Sequence, residues 1–285
     1  MKIINKNKFL IIFALIFLIG LLLANEFKQN SGLEVSFLDV GQGDSIYIKA
    51  FNKTDMLIDG GKNGEVLLQN LSAVMDSFDN TIDVLVITHP DEDHSGGLLA
   101  VVRDYKVGSL FISGNISDNK NYNQILKIAE SEKIPTFKAE AGTNIYLDKD
   151  KKIKFKILSP KGDVSFIESN NASVVGQLIY GENEFMLTGD AYVEVEQNII
   201  KENNNINSDI LKLGHHGSKT SSAMDFLKAV NPEIVIISAG ENNSYGHPHK
   251  IVMDRVEALG VKSLATYDFG TITFLSDGEK IYLDN

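Results

Sequence analysis

The sequence contains no cysteine. Disulfide bonds are therefore excluded, and any metal site has to be built from histidine and carboxylate side chains. Stability then has to come from a hydrophobic core. Because 43% of the 285 residues are hydrophobic, the chain is long and apolar enough for one large domain or two small ones.

Positive charge is also scarce. The chain has 27 Lys and Arg residues against 38 Asp and Glu residues, which gives a net charge of −11. No run of basic residues stands out. An acidic protein repels phosphate backbones at long range, so broad non-specific binding to DNA is disfavoured. The charge favours small substrates over long polyanions, although a local basic groove would be compatible with it.

A long uncharged hydrophobic run occurs near the N-terminus, where FLIIFALIFLIGLLLA covers residues 9–24 and follows several lysines. A basic stretch followed by an apolar one is typical of a secretory signal peptide. A membrane-spanning helix can be as short as about 17 residues, so an anchor is the alternative. Ala24 suits position −1 of a cleavage site, but Leu22 does not suit position −3. Both interpretations stay open.

The chain is accordingly divided into three parts. Residues 1–25 are predicted to be a signal peptide or membrane anchor, the polar residues 26–32 a linker, and residues 33–285 a single domain. Because positive flanks stay in the cytoplasm, the domain is expected to be extracellular or at the cell surface. Loss of the leader with its three lysines would change the net charge from −11 to −14.

Hydrophobic periodicity and turn residues predict alternating strands and helices after the linker. Strands are predicted near residues 34–41, 44–50, 55–61, 83–88, 109–112, 143–147, 152–158, 173–180, 184–188, 209–213, 233–238, 262–266, 271–275 and 280–283. Helices are predicted near residues 64–76, 96–105, 121–131, 191–201 and 249–259. Hairpins mixed with β-α units predict sheets covered by helices, an α/β or α+β layered fold. Each half opens with hairpins and ends in β-α alternation, which predicts two similar halves facing each other.

All six histidines fall in three short segments, and each segment follows an apolar, strand-like run. They are His89 and His94, His215 and His216, and His247 and His249. In open α/β sheets, ligands bind beyond the carboxyl ends of the strands. The alternative is that each histidine makes an unrelated local hydrogen bond. Their common placement favours one shared site.

The segment HPDEDH places His89, Asp91, Asp93 and His94 in one loop. Alternate residues of an extended loop face the same side, so the first three side chains can converge. Imidazole and carboxylate groups are ligands of Zn²⁺, and also of Mn²⁺ or Fe²⁺. Four ligands this close in sequence crowd a single ion, which favours two adjacent ions. An acidic helix cap would explain Asp93 but not the histidines.

Two later segments supply further candidates. In LTGD, Asp190 either caps a helix or bridges two metal ions. In LKLGHHGS, one histidine would be a ligand, and His215 is preferred because it lies nearer the strand. His216, or Ser218 with neighbouring backbone N–H groups, could hold an oxyanion or a phosphate.

The segment GHPH contributes the last two histidines. An imidazole that does not bind metal but lies near two ions suits a general acid or a phosphate contact, and His247 is the candidate. A turn histidine is the alternative. His249 lies where a helix begins and is expected at the surface.

The segments FLDVGQGDS, LIDGG, ITHPDEDHSGG, LTGD and LKLGHHGS together resemble the metallo-β-lactamase superfamily, and more narrowly the soluble hydrolase domain of ComEC-type competence proteins. The resemblance covers residues 33–283. It implies an αββα four-layer sandwich with a two-metal site at its edge. The implied ions are zinc, with manganese as the alternative.

The resemblance also implies a role for each motif residue. His89 and Asp91 would hold one metal, and Asp93 and His94 the other. Asp190 would bridge the two ions, and His215 would complete the second site. Asp59 matches a motif aspartate that supports the site without binding metal. The predicted catalytic residues are Asp93 and His247.

Two departures from the superfamily pattern concern the first metal. Asp91 stands where most members have histidine, although aspartate is usual in the ComEC-like branch. The histidine that usually precedes the bridging aspartate has no counterpart, because residues 159–189 contain none. The first metal is therefore ligand-poor, and Asn171 or Ser173 is a candidate to assist it.

The resulting hypothesis is an exported or membrane-anchored phosphodiesterase in which two ions activate a water for attack on phosphorus. The resemblance favours DNA as the substrate, whereas the charge favours a small phosphodiester such as a phosphorylcholine ester. A hypothesis from a different class is a non-catalytic metal-binding or surface module. β-Lactamase activity fits less well, because the usual imidazole ligands of the first metal are missing.

Overall fold

The computed structural model describes residues 32–203 and 205–284. The predicted leader and nearly all of the predicted linker lie outside these residues. A compact unit begins at Leu33. Within the described ranges, every helix is too short or too polar to cross a membrane.

The N-terminal half of this unit contains six strands and four helices. In chain order they are β1 (Leu33–Phe37), β2 (Ile46–Lys49), β3 (Asp55–Ile58), α1 (Gly64–Val74), β4 (Thr81–Ile87), α2 (Glu92–Ser95), α3 (Leu98–Asp104), β5 (Lys106–Ile112), α4 (Lys120–Ser131) and β6 (Thr136–Lys138).

The C-terminal half continues with nine strands and four helices among the described residues. They are β7 (Asn144–Tyr146), β8 (Ile153–Ser159), β9 (Val175–Tyr180), β10 (Asn183–Leu187), α5 (Val193–Glu202), β11 (Ile210–Lys212), α6 (Met224–Val230), β12 (Ile234–Ile237), α7 (Lys250–Ala258), β13 (Lys262–Ala265), α8 (Thr266–Phe269), β14 (Ile272–Ser276) and β15 (Ile281–Asp284).

These strands form two sheets with related topologies. The first has the order β15-β14-β1-β2-β3-β4-β5-β6, and the second has the order β13-β12-β11-β10-β9-β8-β7. The first is antiparallel from β15 to β3 and parallel from β3 to β6. The second is antiparallel from β7 to β10 and parallel from β10 to β13. Apart from β14 and β15, which return to the first sheet, each half thus opens with antiparallel strands and continues in β-α units, as the sequence pattern predicts.

Three hydrophobic clusters stack the sheets and helices into four layers. The middle cluster joins the two sheets, for example where the Phe185 and Phe274 rings lie 6.3 Å apart. The outer clusters pack α1, α3 and α4 on the first sheet and α5, α6 and α7 on the second. Strands between two apolar layers bury both faces: in β2, Ile46 and Ile48 point to the middle cluster and Tyr47 to an outer one. The predicted αββα layering is confirmed.

The helix predicted over residues 96–105 lies at Leu98–Asp104. Four elements were not predicted: the strand β6 and the helices α2, α6 and α8. All four are short, three to seven residues, and therefore show little periodicity.

Candidate metal centre

The predicted site residues follow the carboxyl ends of parallel strands. Asp59 follows β3, the HPDEDH loop follows β4, and Asp190 follows β10. The GHHG turn follows β11. The structure brings five of the six histidine rings into one group. Successive centroids are 4.1 Å apart from His89 to His94, 5.3 Å from His94 to His216, and 6.0 and 6.2 Å from His216 to His215 and His247.

A chain of hydrogen bonds behind the HPDEDH loop orients two of these histidines. Asp59 accepts hydrogen bonds from His94 Nδ1 at 2.8 Å and from the Thr88 hydroxyl at 2.6 Å. Since the Thr88 proton is used there, its oxygen accepts from His89 Nδ1 at 3.0 Å. Both histidines therefore carry a proton on Nδ1 and turn Nε2 towards the centre of the site. Asp59 lies where a supporting, non-ligating residue belongs.

Asp59 reaches this position because its backbone is left-handed, with φ of +57°. Aspartate adopts this conformation more readily than most residues. Its backbone N–H donates to Val86 O, and its carboxylate also accepts from the backbone N–H of Thr88 at 2.8 Å. The side chain is completely buried, so these donors replace the water that it loses.

The structure places His216, rather than His215, among the ligand candidates. His216 Nδ1 donates to Ser238 O at 2.8 Å, which leaves the Nε2 lone pair facing Asp190 Oδ2 at 3.3 Å and Asp93 Oδ2 at 3.5 Å. His215 is partly exposed, and its Nδ1 pairs with the Thr220 hydroxyl. The preference for His215 drawn from the sequence is thereby reversed.

The reversal has a backbone cause. Nearness to the strand would favour His215 if the chain left β11 in an extended conformation. Instead His215 and His216 are both left-handed, with φ of +50° and +57°. Two such non-glycine residues in succession are uncommon and are typical of functional sites. The tight turn carries the second imidazole, not the first, into the interior.

Asp190 lies at the centre of the group. Its Oδ1 is 3.2 Å from His94 Nε2, and its Oδ2 is 3.3 Å from His216 Nε2 and 3.7 Å from His215 Nε2. The backbone N–H of Asp190 donates to the hydroxyl of Ser173 at 3.3 Å. One carboxylate therefore faces imidazoles from both halves of the fold, the position that a bridging ligand requires.

His89 and Asp91 form a second, smaller pair. His89 Nε2 lies 3.8 Å from Asp91 Oδ2. The other carboxylate oxygen of Asp91 accepts a hydrogen bond from Ser169 at 2.7 Å. Ser169 was not predicted, because it comes from a polar loop without a motif. The two proposed helpers of this pair differ: Ser173 is used by Asp190, whereas Asn171 Oδ1 is buried without a hydrogen-bond partner among the described residues.

Four buried atoms fit a metal centre. Within the described part of the chain, none of these atoms has a hydrogen-bond partner: His89 Nε2, His94 Nε2, His216 Nε2 and Asp190 Oδ1. An unpaired buried polar atom is costly, so such atoms normally have a partner that satisfies them. All four are atoms of the kind that bind divalent metals. The residues present therefore fit a divalent metal.

Two further charged residues lie under the imidazoles. Asp44 and Lys212 form an ion pair, both side chains buried. Asp44 faces the Nδ1 atoms of His216 and His94, at 3.3 and 4.0 Å. Asp44, His94, Asp190 and His216 offer ligand atoms within 4.8 Å of one another. Because Asp44 faces the protonated nitrogens, we assign it to support rather than to metal binding.

Lys212 also donates to Gly189 O at 3.1 Å and lies 3.7 Å from Asp190 Oδ1. Sequence reasoning missed both Lys212 and Asp44. One signal was available, since a lysine inside the apolar run ILKLG has to find a carboxylate if its strand is buried.

The carboxylates of the site stabilise the protonated, positively charged form of the neighbouring histidines. Burial alone would lower the pKa of His94 and His216, but the Asp190 carboxylate outweighs it, and both pKa values lie well above 6.5. Burial would raise the pKa of Asp190, but His216 and His94 hold it well below 3.8. His89 lies farther from the carboxylates, and burial and His94 lower its pKa to about 4.

The remaining predicted residues lie at the rim. Burial and the neighbouring His215 and His216 lower the pKa of His247 to about 4. Ser218 is buried and its hydroxyl bonds to that of Thr220, which leads back to His215. His249 lies apart from the ring group and caps α7 by accepting from Ile251 N.

Comparison with known proteins points to the same family as the sequence motifs. A family model described as the metallo-beta-lactamase superfamily matches residues 38–241. ComE operon protein 3 of Bacillus subtilis is 33% identical over 261 residues, which cover 85% of this chain and 33% of that protein. Recombination protein 2 of Haemophilus influenzae is 31% identical over 235 residues, covering 81% of this chain and 27% of that protein. The chain spans about a third of the length of these curated relatives.

Solved structures show the same fold at low sequence identity. The metallo-beta-lactamase fold protein YhfI from Bacillus subtilis has a TM-score of 0.56 and 11% identity, and the match covers 86% of this chain and 100% of that one. Zinc-bound PqqB from Methylobacterium extorquens has a TM-score of 0.50 and 11% identity, covering 79% and 85%.

Proposed function

Because this chain belongs to the metallo-beta-lactamase superfamily, we propose that it is a metal-dependent phosphodiesterase with a dinuclear centre. The observation that carries the proposal is the convergence of unpaired, buried ligand atoms from three histidines and Asp190. Hydrogen bonds donated by Nδ1 orient each of these imidazoles with Nε2 towards the centre. A purely structural histidine cluster would not leave every Nε2 without a hydrogen-bond partner.

The residues divide between two ions. Asp93, His94, Asp190 and His216 would hold one ion, and His89, Asp91 and Asp190 the other. Lys212 neutralises Asp44, so the four remaining carboxylates, those of Asp59, Asp91, Asp93 and Asp190, balance the charge of two divalent cations. When bound, the ions supply Lewis acidity and a nucleophilic water at neutral pH. We propose zinc, with manganese as the alternative because carboxylates are numerous.

The chain's own residues complete the chemistry. Burial opposes ionisation of Asp93, but the His216 and His94 rings that face it keep its pKa low, so it is ionised at pH 7. As its side chain is 30% exposed, it can also accept a hydrogen bond from the attacking water. With a pKa of about 4, His247 is a neutral ring at pH 7. It therefore contributes an N–H to a phosphate oxygen or to the leaving oxygen, rather than a formal positive charge.

Two arguments bear on the substrate. One of the relatives named above is a recombination protein, and this name supports DNA as the substrate. The net charge of −11 supports a small phosphodiester. Hydrolysis of a phosphodiester bond is the reaction with either substrate. We also propose that the domain is exported or held at the cell surface by residues 1–25.

A substrate panel tests the proposal. Single-stranded DNA, bis-p-nitrophenyl phosphate and p-nitrophenyl phosphorylcholine are incubated with the native protein and Zn²⁺ or Mn²⁺. We expect cleavage of at least one diester. Because His94 and Asp190 lie at the centre of the site, His94→Ala and Asp190→Ala should abolish it while circular dichroism stays unchanged. His249→Ala is the matched control, since this histidine caps a helix, and it should keep native activity.

Activity that survives either His94→Ala or Asp190→Ala would contradict the assignment of the centre. Lack of cleavage of every diester by a metal-loaded native protein would contradict the reaction class.

A second candidate, a non-catalytic metal-binding module, is favoured by one observation. The first metal has only His89, Asp91 and Asp190 as assigned ligands, and residues 159–189 contain no histidine. Metal analysis after dialysis separates the two candidates. About two ions per chain support the enzyme. A single ion per chain, in a protein that cleaves no diester, supports the metal-binding module.

A further inference from the structure

Four aromatic rings form a row across the rim of the metal centre. The order is Tyr245, His247, His215 and Tyr192, with successive ring centroids 5.8, 5.4 and 5.6 Å apart. The outer pairs are stacked and the inner pair is edge-on. We call these four residues the aromatic row. They come from three separate segments, so the fold and not the local sequence assembles them.

The aromatic row adjoins the ligand candidates directly. His215 Nε2 lies 3.7 Å from Asp190 Oδ2, and the His247 ring lies 6.2 Å from that of His216. His247 Nδ1 is buried without a hydrogen-bond partner among the described residues. The aromatic row therefore contains one unsatisfied imidazole nitrogen and lies beside the ligand candidates.

Tyr245 is the exposed end of the row. Its side chain is 67% exposed, whereas the other three residues are partly buried. Its ring lies 21° from the plane of the His247 ring, so one face rests on His247 and the opposite face is turned away from it. A large exposed aromatic ring adds little to the core, so packing does not explain it.

The loop that carries Tyr245 is held in place. The Asn243 amide donates to Gly240 O at 3.0 Å and to His247 O at 2.6 Å, and Asn243 Oδ1 accepts from His247 N at 3.0 Å. These bonds close the loop on both sides of Tyr245. A ligand that stacks on the ring then loses less free energy to ordering the loop.

We propose that the aromatic row is a nucleobase subsite, and that the substrate is a phosphodiester of a nucleotide whose base stacks on Tyr245. This inference rests on the proposed phosphodiesterase function. The base would extend the stack outward while the attached phosphate points past His247 towards Asp190 and His216. Stacking binds any base through its π face. Because the base itself is uncharged, this part of the binding energy does not depend on the net charge of the chain.

A choline ester is the competing ligand, since quaternary ammonium groups bind aromatic rings. Such groups are held in cages, where several ring faces surround the cation. In the aromatic row the rings cover one another, and Tyr245 alone is well exposed. The arrangement favours a flat ligand over a spherical cation.

Kinetics with a common leaving group tests the subsite. Thymidine 5′-(p-nitrophenyl phosphate), methyl p-nitrophenyl phosphate and p-nitrophenyl phosphorylcholine are compared in the native protein, Tyr245→Ala, Tyr245→Phe and Tyr282→Ala. Tyr282 is an exposed tyrosine of the edge strand β15 and serves as the matched control. Loss of one stacking contact should raise KM for the thymidine ester on the order of tenfold.

The other measurements should stay nearly constant. Tyr245→Phe keeps the ring and should remain within about twofold of the native KM, as should Tyr282→Ala. The kcat values and the KM of the methyl ester should change little in Tyr245→Ala. An equal loss on all three esters, a larger loss on the choline ester, or no loss on the thymidine ester would overturn the subsite.

A binding experiment separates this inference from the proposed reaction. Fluorescein-labelled (dT)8, an abasic oligomer of the same length and the dinucleotide TpT are titrated with metal-free protein and followed by anisotropy or competition. We expect (dT)8 to bind about tenfold more tightly than the abasic oligomer, and Tyr245→Ala to remove the difference. Equal binding of the two oligomers overturns the subsite, even if the diesters are cleaved.

The same titration identifies the source of the nucleotide. Tighter binding of (dT)8 than of TpT supports a single-stranded nucleic acid, and equal binding supports a small nucleotide diester. If the base preference is present but no ester is cleaved, the proposed reaction fails while the subsite stands.

Discussion

Each proposed histidine ligand of the metal centre is oriented through its Nδ1 atom. His94 donates to a carboxylate, His89 to a hydroxyl and His216 to a backbone carbonyl. Such partners fix the tautomer and increase the basicity of the ligating nitrogen. Residues that do not touch a metal therefore decide how well these imidazoles bind one.

Asp59→Asn should weaken metal binding about 10- to 100-fold, the usual cost of losing such a partner. The amide has nearly the same shape, but it lacks the charge that supports His94, and it meets N–H donors with its own amide group. A competition titration against a chromophoric chelator measures the affinity. Asp225→Asn, at an exposed position in α6, makes the same chemical change and should leave the affinity unaltered. Equal affinities in all three proteins would contradict the supporting role of Asp59.

Lys212→Met should destabilise the metal-free fold, because it leaves the buried Asp44 carboxylate without its ion-pair partner. Breaking a buried pair on one side costs about 3–5 kcal/mol. Adding Asp44→Asn removes the unpaired charge and should restore part of the loss. Urea unfolding of the two single variants and the double variant gives the free energies. Additive losses in the double variant would count against the pair.

At the scale of elements, short loops at the ends of parallel strands do the positioning. Gly43, with φ of +129°, lets the Asp44 loop lie against the HPDEDH loop, since a Cβ atom there would be 2.1 Å from Asp93 O. Asp44 N donates to that same carbonyl. The strands place the loops, and these close approaches place the side chains.

The helix α5 supports the opposite side of the centre through Glu196. Its carboxylate accepts hydrogen bonds from Ser222 N at 2.5 Å and Ala223 N at 2.9 Å, at the start of α6. Burial nevertheless raises the pKa of Glu196 to about 7. The folded protein therefore keeps a proton there that the unfolded chain loses above its ordinary pKa of 4.5.

A pH dependence follows from that shift. Between pH 4.5 and 7 the folded state binds more protons than the unfolded state, so the contribution of Glu196 to the free energy of unfolding falls as pH rises. Relative to Glu196→Gln, which does not titrate, the native protein should lose up to about 3 kcal/mol across this window. Urea unfolding in EDTA at several pH values measures it. Glu194→Gln, exposed on the same helix, should run parallel to the native protein, and a parallel Glu196→Gln curve would refute the prediction.

At the scale of the whole molecule, both sheets contribute to the centre. The first sheet carries Asp59 and the HPDEDH loop, and the second carries Asp190, Lys212 and His216. A metal ion held between them would join the two halves of the sandwich. Metal binding should therefore stabilise the fold as a unit.

Divalent metal should raise the midpoint of thermal unfolding. An ion at 100 times its Kd adds about 2.7 kcal/mol, which corresponds to roughly 5–10 °C per site in a domain of this size. The gain should be larger at pH 8 than at pH 6, because the raised pKa values of His94 and His216 make protons compete with the metal. Differential scanning fluorimetry with Zn²⁺, Mn²⁺ and EDTA measures the shift. It should vanish in His94→Ala and persist in His249→Ala; a shift that persists in both would mean that the metal binds elsewhere.

Much of the fold was predictable because hydrophobic periodicity reports burial locally. The strand predicted over residues 83–88 lies at Thr81–Ile87, and the helix predicted over 121–131 lies at Lys120–Ser131. Short elements such as β6 and α6 were not predicted, since their few residues show no hydrophobic periodicity. The HPDEDH segment could be identified as a candidate metal site for a similar reason. Its ligand residues are close in sequence, so their spacing alone indicates that they bind metal.

The order of the segments along the chain already determined the class of fold and the types of ligand available, because periodicity, turns and the absence of cysteine are properties of neighbouring residues. Only the tertiary structure decided between His215 and His216, paired Lys212 with Asp44, and lined up the aromatic row. Those outcomes depend on left-handed backbone, on burial and on contacts between residues far apart in the chain. The packing of the two sheets determines these contacts, and a local sequence pattern does not predict them.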